Sequence, residues 1–322
     1  MSGAVSDASA LRAPRLTARG RELDLSSEAF GSLRVSNDIA ANGEALRDRM
    51  DEDGYLYLPD LLNRDLIRQA RAIILERLDA QGWLHPDFPR DEGVVAENRS
   101  SYFMADLAKG NAPLLSALYE GAMMAFFERL LGGTVRHFDF TWMRAVTPGN
   151  STAPHCDIVY MGRGTPRLFT AWTPLGDIDL SLGGLMVLEN SHRRGEKLGN
   201  YLERDVDSFC ANGPNADKIA QGKMNWESWE DPAKEWDGAI TGDAVALREK
   251  LGGRWLTSPH YRMGDVLIFS MRTVHASLDN PSQRIRLSSD TRYQRADEPA
   301  DERWVGDDPI AHGIAGKRGR IC

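Results

Sequence analysis

The sequence predicts an α+β protein built on an antiparallel β-sandwich or barrel. Two apolar-periodic helical segments lie in the N-terminal half, and a run of short strand-like segments follows them in one stretch. There is no internal repeat or low-complexity tract to suggest a solenoid or a fibrous array. The 322 residues carry 42% hydrophobic and 27% charged residues, enough to bury a core without a metal or disulfide staple.

The elements follow in chain order. Residues 1 to about 40 are rich in Ala, Ser and Arg with little periodicity, which predicts a loosely packed leader ahead of a single domain over 41–322. Asp53-Gly54 introduces an aromatic strand, Tyr55-Leu56-Tyr57-Leu58. Asn63 then caps a helix whose apolar face is Leu66, Ile67, Ala70, Ile73, Ile74 and Leu78. Residues 82–100, with Gly82, Pro86, Pro89 and Gly93, read as irregular connection. A second helix is predicted over about 112–131, from Leu114, Leu115, Leu118, Met123, Phe126, Phe127 and Leu130.

Strand patterning starts at Val135 and runs to Val146, with Phe138, Phe140 and Trp142 opposite His137, Asp139 and Thr141. Further strands are expected at 167–173, 185–188, 265–270 and 283–293, the last two linked across Asp279-Asn280-Pro281. Between them, 193–258 is a polar insertion holding Trp226, Trp229, Trp236 and Trp255. It could lid the open end of a barrel, or form a solvated insertion or a subunit contact.

Charge and composition narrow the partners. A net charge of −8 disfavours nucleic acid and anionic membrane surfaces. No run of 18 apolar residues occurs and the first residues lack a signal-peptide core, so a cytoplasmic protein is expected. The three cysteines, Cys156, Cys210 and Cys322, are an odd number without a CxxC. They point to a reducing compartment and away from a disulfide framework or a cysteine zinc site.

The seven histidines carry the functional question. Three His-x-Asp triplets occur: His85-Pro86-Asp87, His137-Phe138-Asp139 and His155-Cys156-Asp157. On a strand, residues i and i+2 project from one face about 7 Å apart, close enough for an imidazole and a carboxylate to reach one metal ion. His85 sits in a proline-flanked loop and His137 in mid-strand, where packing explains them. His155 follows the loop 147–154 and opens a segment at a sheet rim. His275, after the apolar strand ending at Ser270, supplies a second imidazole. Two histidines and one carboxylate form the facial triad of non-haem Fe(II), with zinc as the chemical competitor. Arg284 and Arg286 lie on one face of the return strand. A buried arginine there calls for an anion, and a dicarboxylate that meets metal at one end and arginine at the other would be 2-oxoglutarate. Arg284 reads better as a surface ion pair.

With these residues in view, the sequence resembles the phytanoyl-CoA dioxygenase-like family of Fe(II)/2-oxoglutarate oxygenases over about 50–295. The resemblance rests on Asp53-Gly54-Tyr55, Pro148-Gly149 ahead of His155-Cys156-Asp157, and Ala171-Trp172-Thr173-Pro174-Leu175. It continues with Gly183-Gly184-Leu185 to Ser191-His192, Gly264-Asp265, His275-Ala276-Ser277 and Arg286-Leu287-Ser288. It departs where Glu189-Asn190 stands in place of the usual Pro-Gly.

The resemblance implies a double-stranded β-helix (jelly-roll, cupin-like) core with flanking N-terminal helices. It implies His155, Asp157 and His275 as iron ligands, and Arg286 on the distal carboxylate of 2-oxoglutarate. Ser277 is expected on the same carboxylate, and Ser288, Trp172 and Met143 around the cosubstrate, although Trp172 and Met143 read nearly as well as barrel core. His192 is expected to be structural. The implied reaction consumes O2 and 2-oxoglutarate, releases succinate and CO2, and oxidises a C–H bond of a small organic metabolite. Because Asp157 is present, hydroxylation is expected in place of halogenation. A zinc hydrolase or isomerase on a cupin-like barrel, and a non-catalytic binding barrel, are the alternatives. A homo-oligomer is compatible with the sequence.

Overall fold

The computed structural model describes residues 15–222 and 236–322. Two β-sheets face each other. The larger has strands in the order Tyr55–Leu58, Val266–Ser270, Phe169–Pro174, Arg286–Arg295 and Val135–His137, with Trp142–Val146 also paired to the long Arg286–Arg295 strand. All of these pairings are antiparallel. The smaller sheet runs His275–Ser277, Leu185–Leu188, Trp255–Thr257 and Phe30–Ser32. Together they form the jelly roll that the α+β reading anticipated.

Helices cover the outer face of the larger sheet. Gly43–Asp53 is capped by Asn42 and Arg64–Ala80 by Asn63, whose side chain accepts from the Asp65 and Leu66 amides. Leu46, Ile67, Ile74, Leu118, Phe126 and Phe127 pack against Ala145, Ala171, Ile268, Leu287 and Tyr293. Alternation along each strand then sends the other set inward, where Tyr57, Trp172, Leu256, Tyr261, Leu267 and Phe269 make the interior cluster.

Several expectations are corrected. The helix expected over 112–131 is two, Ala112–Tyr119 and Gly121–Leu131, because Glu120 is extended and Gly121 adopts a φ of 51°. The strand expected over 135–146 leaves the sheet after His137 and rejoins at Trp142; between them the Phe138 and Asp139 amides bond to Arg292 O and Trp304 O. The leader is packed from residue 15 onward. Leu16, Ala18 and Leu23 are buried, Asp279 accepts from the Arg19 and Gly20 amides, and Phe30–Ser32 pairs in parallel with Trp255–Thr257.

The insertion is also more structured than its polarity suggested. Trp255 is a sheet residue whose indole donates to Ala244 O, and Ala244–Leu251 is a helix capped by Asp243. Trp226 and Trp229 lie outside the described residues. Cys210 and Cys322 are joined by a disulfide beside the parallel strand pair Ser208–Cys210 and Arg318–Arg320, which corrects the expectation of three unpaired cysteines. Counting cysteines could not reveal a pair 112 residues apart. Among the described residues, no helix is long and apolar enough to cross a membrane.

Candidate functional site

His155 and His275 come together through their backbones. Each amide donates to the other's carbonyl at 3.0 Å, an isolated antiparallel bridge that closes one end of the smaller sheet. The rings are 4.1 Å apart, centroid to centroid. His155 Nδ1 bonds to Ala153 O at 2.8 Å and His275 Nδ1 to Thr273 O at 3.0 Å. A carbonyl oxygen only accepts, so both Nδ1 atoms carry the proton and both Nε2 atoms present lone pairs.

Asp157 departs from the expected strand geometry. Its backbone is already helical and leads into Ile158–Met161, so the carboxylate reaches the imidazoles from a turn. Its Oδ1 lies 3.8 Å from His155 Nε2 and 3.6 Å from His275 Nε2, beyond hydrogen-bonding range. His155, Asp157 and His275 are the one cluster of potential metal ligands among the described residues.

Electrostatics prepare these groups. Burial lowers His155 to about 3, with His275 adding to the effect, and burial lowers His275 against the pull of Asp157. Burial also works against the Asp157 charge, but Arg292, aided by the Thr170 hydroxyl, outweighs it and holds the carboxyl well below its ordinary range. Two neutral imidazoles and one ionised carboxylate, aimed at one point and unbonded to one another, fit a divalent metal ion.

Backbone and insertion residues brace this segment. The Tyr201 hydroxyl accepts from the Cys156 amide at 2.9 Å and donates to Gly238 O at 2.7 Å. The Ile240 amide bonds to Pro154 O and the Val206 amide to Val159 O. Cys156 is fully buried, and burial pushes its thiol well up, so it faces core and not solvent.

Arg286, Ser288, Asp290 and Arg292 alternate along the long strand with Leu287 and Tyr293, which pack under the helices. The four therefore face the barrel interior. Arg286 is 2% exposed; its Nη1 donates to Gly183 O at 2.7 Å and its Nε has no partner. Burial lowers its guanidinium to about 10, and Arg144 adds to the effect. The Ser288 hydroxyl is also buried without a partner. A buried cation without a carboxylate in contact, beside an unused hydroxyl, fits an incoming carboxylate. Ser277 is fully buried, and its Oγ accepts from the Thr152 amide at 2.8 Å.

Trp172 is interior, edge-on to Tyr261 at 4.7 Å. Met143 is different. It packs in the core between sheet and helices, and its neighbour Arg144 turns inward to bond Asp290 at 2.8 Å. The expectation that Met143 lines the cosubstrate pocket is corrected by this one-residue alternation. Arg292, which sequence reasoning passed over, donates to Asp157 Oδ2 at 3.0 Å. Its even spacing from Arg286 was the available signal.

The remaining histidines lie apart from the cluster. His137 bonds to Phe138 O and packs on Tyr119, and His85 packs on Phe88. His192 fills the space over Gly54, where an added Cβ would lie 2.3 Å from its Nδ1; its Nε2 meets Asp51 O. His260 is exposed, and His312 meets Asp207.

Comparison with known proteins agrees with this geometry. The chain is 29% identical over 265 residues to a 1-deoxypentalenic acid 11-beta-hydroxylase of Streptomyces exfoliatus, covering 79% of this chain and 81% of that protein. It is 28% identical to the protein of the same name from Streptomyces arenae, covering 84% and 87%. Among solved structures, the α-ketoglutarate-dependent carbocyclase SnoK of nogalamycin biosynthesis aligns with a TM-score of 0.54 at 18% identity, covering 87% of this chain and 90% of that one. EctD from S. alaskensis, with 2-oxoglutarate and 5-hydroxyectoine, aligns with a TM-score of 0.52 at 17% identity, covering 95% of each chain. Those likenesses establish the jelly-roll fold. The sequence profile of phytanoyl-CoA dioxygenase (PhyH) matches residues 50–288, across both histidines, the aspartate and the buried arginine, and the chain belongs to that family.

Proposed function

We propose that this chain hydroxylates a C–H bond of a small, largely apolar organic acid, with His155, Asp157 and His275 holding Fe(II) and Arg286 holding the distal carboxylate of 2-oxoglutarate. Family membership makes it an Fe(II)/2-oxoglutarate-dependent dioxygenase. The observation that carries the residue assignment is Arg286, a buried guanidinium on an inward-facing strand with no carboxylate in contact among the described residues. The iron, once bound with its cosubstrate, supplies the activation of O2 that oxidises the substrate and leaves succinate and CO2.

The chain's own residues do the rest. The Ala153 and Thr273 carbonyls fix the imidazole tautomers with Nε2 bare, and burial disfavours the protonated rings, so binding metal near neutrality takes little proton release. Arg286 orients the cosubstrate by its far end, with Ser277 and Ser288 as hydroxyl partners. The described parts of the insertion, residues 193–222 and 236–258, are anchored on 154–161 through Tyr201 and Ile240, and we read them as a cover over the metal side.

The acid is suggested by two features. The curated relatives are named for hydroxylating an acid. Arg144 spends its Nε on Asp290 and lies over the Phe103 ring, with its side chain 19% exposed and its terminal nitrogens available to a carboxylate. Burial opposes the Arg144 charge, yet Asp290 more than restores it.

The test is a screen of carboxylic acids and their methyl esters with Fe(II), 2-oxoglutarate and O2, reading succinate. Succinate released with an acid and not with its ester supports the reading. Zinc retained through chelation, with no 2-oxoglutarate dependence, would instead favour a hydrolase or isomerase on the same barrel. The sequence also leads us to place the enzyme in the cytoplasm, although the Cys210–Cys322 pair removes one ground for that; fractionation decides it. Self-association is proposed only as compatible with the chain, and light scattering measures it.

A further inference from the structure

The two oxygens of Asp157 have separate surroundings. Oδ1 faces the Nε2 atoms of His155 and His275 at 3.8 and 3.6 Å. Oδ2 is already filled: the Thr170 hydroxyl donates to it at 2.5 Å and Arg292 Nη2 at 3.0 Å. Thr170 and Arg292 are direct register partners on neighbouring antiparallel strands, so one cross-strand pair delivers both donors.

Arg292 is held firmly. It is 2% exposed, its guanidinium lies 4.0 Å over the Trp142 ring, and its Nε and Nη1 have no hydrogen-bond partner. Stability alone gives little reason to keep the Arg292–Asp157 pair, because replacing a whole buried ion pair with apolar groups is often neutral or stabilising. A role at the metal centre accounts for it.

We propose that Arg292, together with Thr170, is a positioning residue that restricts Asp157 to one-oxygen ligation. A facial triad works because it leaves positions on the metal open for other ligands. A carboxylate free to turn about its Cβ–Cγ bond could present both oxygens and occupy one of those positions. With Oδ2 held by two donors, that turn would break two charge-assisted hydrogen bonds in a buried site, where unpaired groups are costly. The inference rests on the metal-ligand reading of His155, Asp157 and His275.

The test uses Co(II) in place of iron, without oxygen and without turnover. Wild type, Thr170→Val, Arg292→Met and Arg292→Lys are loaded with Co(II), their visible spectra recorded, and 2-oxoglutarate titrated by calorimetry. The visible spectrum of Co(II) depends on the number, type and geometry of its ligands, so a second carboxylate oxygen in place of an open position alters it. Thr170→Val and Arg292→Met are expected to retain Co(II), to show an altered visible band, and to bind 2-oxoglutarate about tenfold less tightly or worse, in the range found for groups that orient metal ligands. Arg292→Lys, which retains the charge and a donor, is expected to fall between them and wild type. Unchanged spectra and 2-oxoglutarate affinity in both Thr170→Val and Arg292→Met overturn the inference while leaving the metal site standing. Wild type that binds neither Co(II) nor 2-oxoglutarate overturns the reading beneath it. Thr170→Val removes one hydroxyl and preserves shape, so it decides alone should Arg292→Met fail to fold.

Discussion

Replacing Arg286 with methionine should move stability and cosubstrate affinity in opposite directions. In the resting protein the guanidinium is 2% exposed, bonded to the Gly183 carbonyl, without a carboxylate in contact, and near the positive Arg144. An apolar side chain of similar volume removes an uncompensated buried charge, so unfolding free energy should stay level or rise by about 1–2 kcal/mol. Binding of 2-oxoglutarate loses its charged partner. Truncating one side of a buried, hydrogen-bonded charge pair costs about 2–5 kcal/mol, roughly 30- to 4,000-fold in affinity. Urea unfolding of the metal-free protein gives the first quantity. Anaerobic calorimetry on Mn(II)-loaded protein gives the second. A dissociation constant within threefold of wild type would refute the assignment of Arg286. So would a destabilisation above about 2 kcal/mol, which would mean that the charge is already paired within the protein.

Four further outcomes are expected. Because burial lowers His155 to about 3 and also lowers His275 from its ordinary value, Co(II) affinity should change less than about fourfold over pH 6–8 in equilibrium dialysis. Two unshifted histidines would instead give a rise of about 16-fold. The same depressed values mean that stability linked to these imidazoles is present above about pH 6.5 and is lost as pH falls below it, which a series of acid melts on metal-free protein would record. Cys322→Ser opens a link across 112 residues and should cost about 2–4 kcal/mol in urea unfolding, with Co(II) affinity unaltered. Gly54→Ala places a Cβ 2.3 Å from His192 Nδ1 at a φ of 77°, and should destabilise by about 2–4 kcal/mol. Adding His192→Ala should recover the steric part, and a purely additive double variant would count against the contact.

The clustering of His155, Asp157 and His275 was legible because metal chemistry needs particular side chains at short spacing, and motif order singled out His155 from His85 and His137. The jelly roll was legible for a similar reason, since strand alternation is a local property. What sequence reading missed depends on partners far along the chain. Phe30–Ser32 looked like leader because its pairing strand begins at Trp255. Met143 was expected in the barrel where Arg144 enters it, because one residue of register decides which side chain points inward. Arg292 drew no notice because its carboxylate lies 135 positions away. Gly121 broke a helix that apolar periodicity had carried straight through.

The charged inner face of the long strand has a consequence for how the chain folds. Asp290 finds Arg144 146 positions upstream, and Arg292 finds Asp157 135 positions upstream. If apolar collapse closed the barrel before those partners arrived, Asp290 and Arg292 would be sealed away from water unpaired, at a cost of several kcal/mol each. The central strand of the larger sheet is thereby barred from early docking. The helical layer can assemble from nearby contacts, whereas the barrel has to wait for encounters between distant parts of the chain, which are slow. Refolding should accordingly show an early helical phase and a later one in which Trp142, stacked on Arg292, first reports burial.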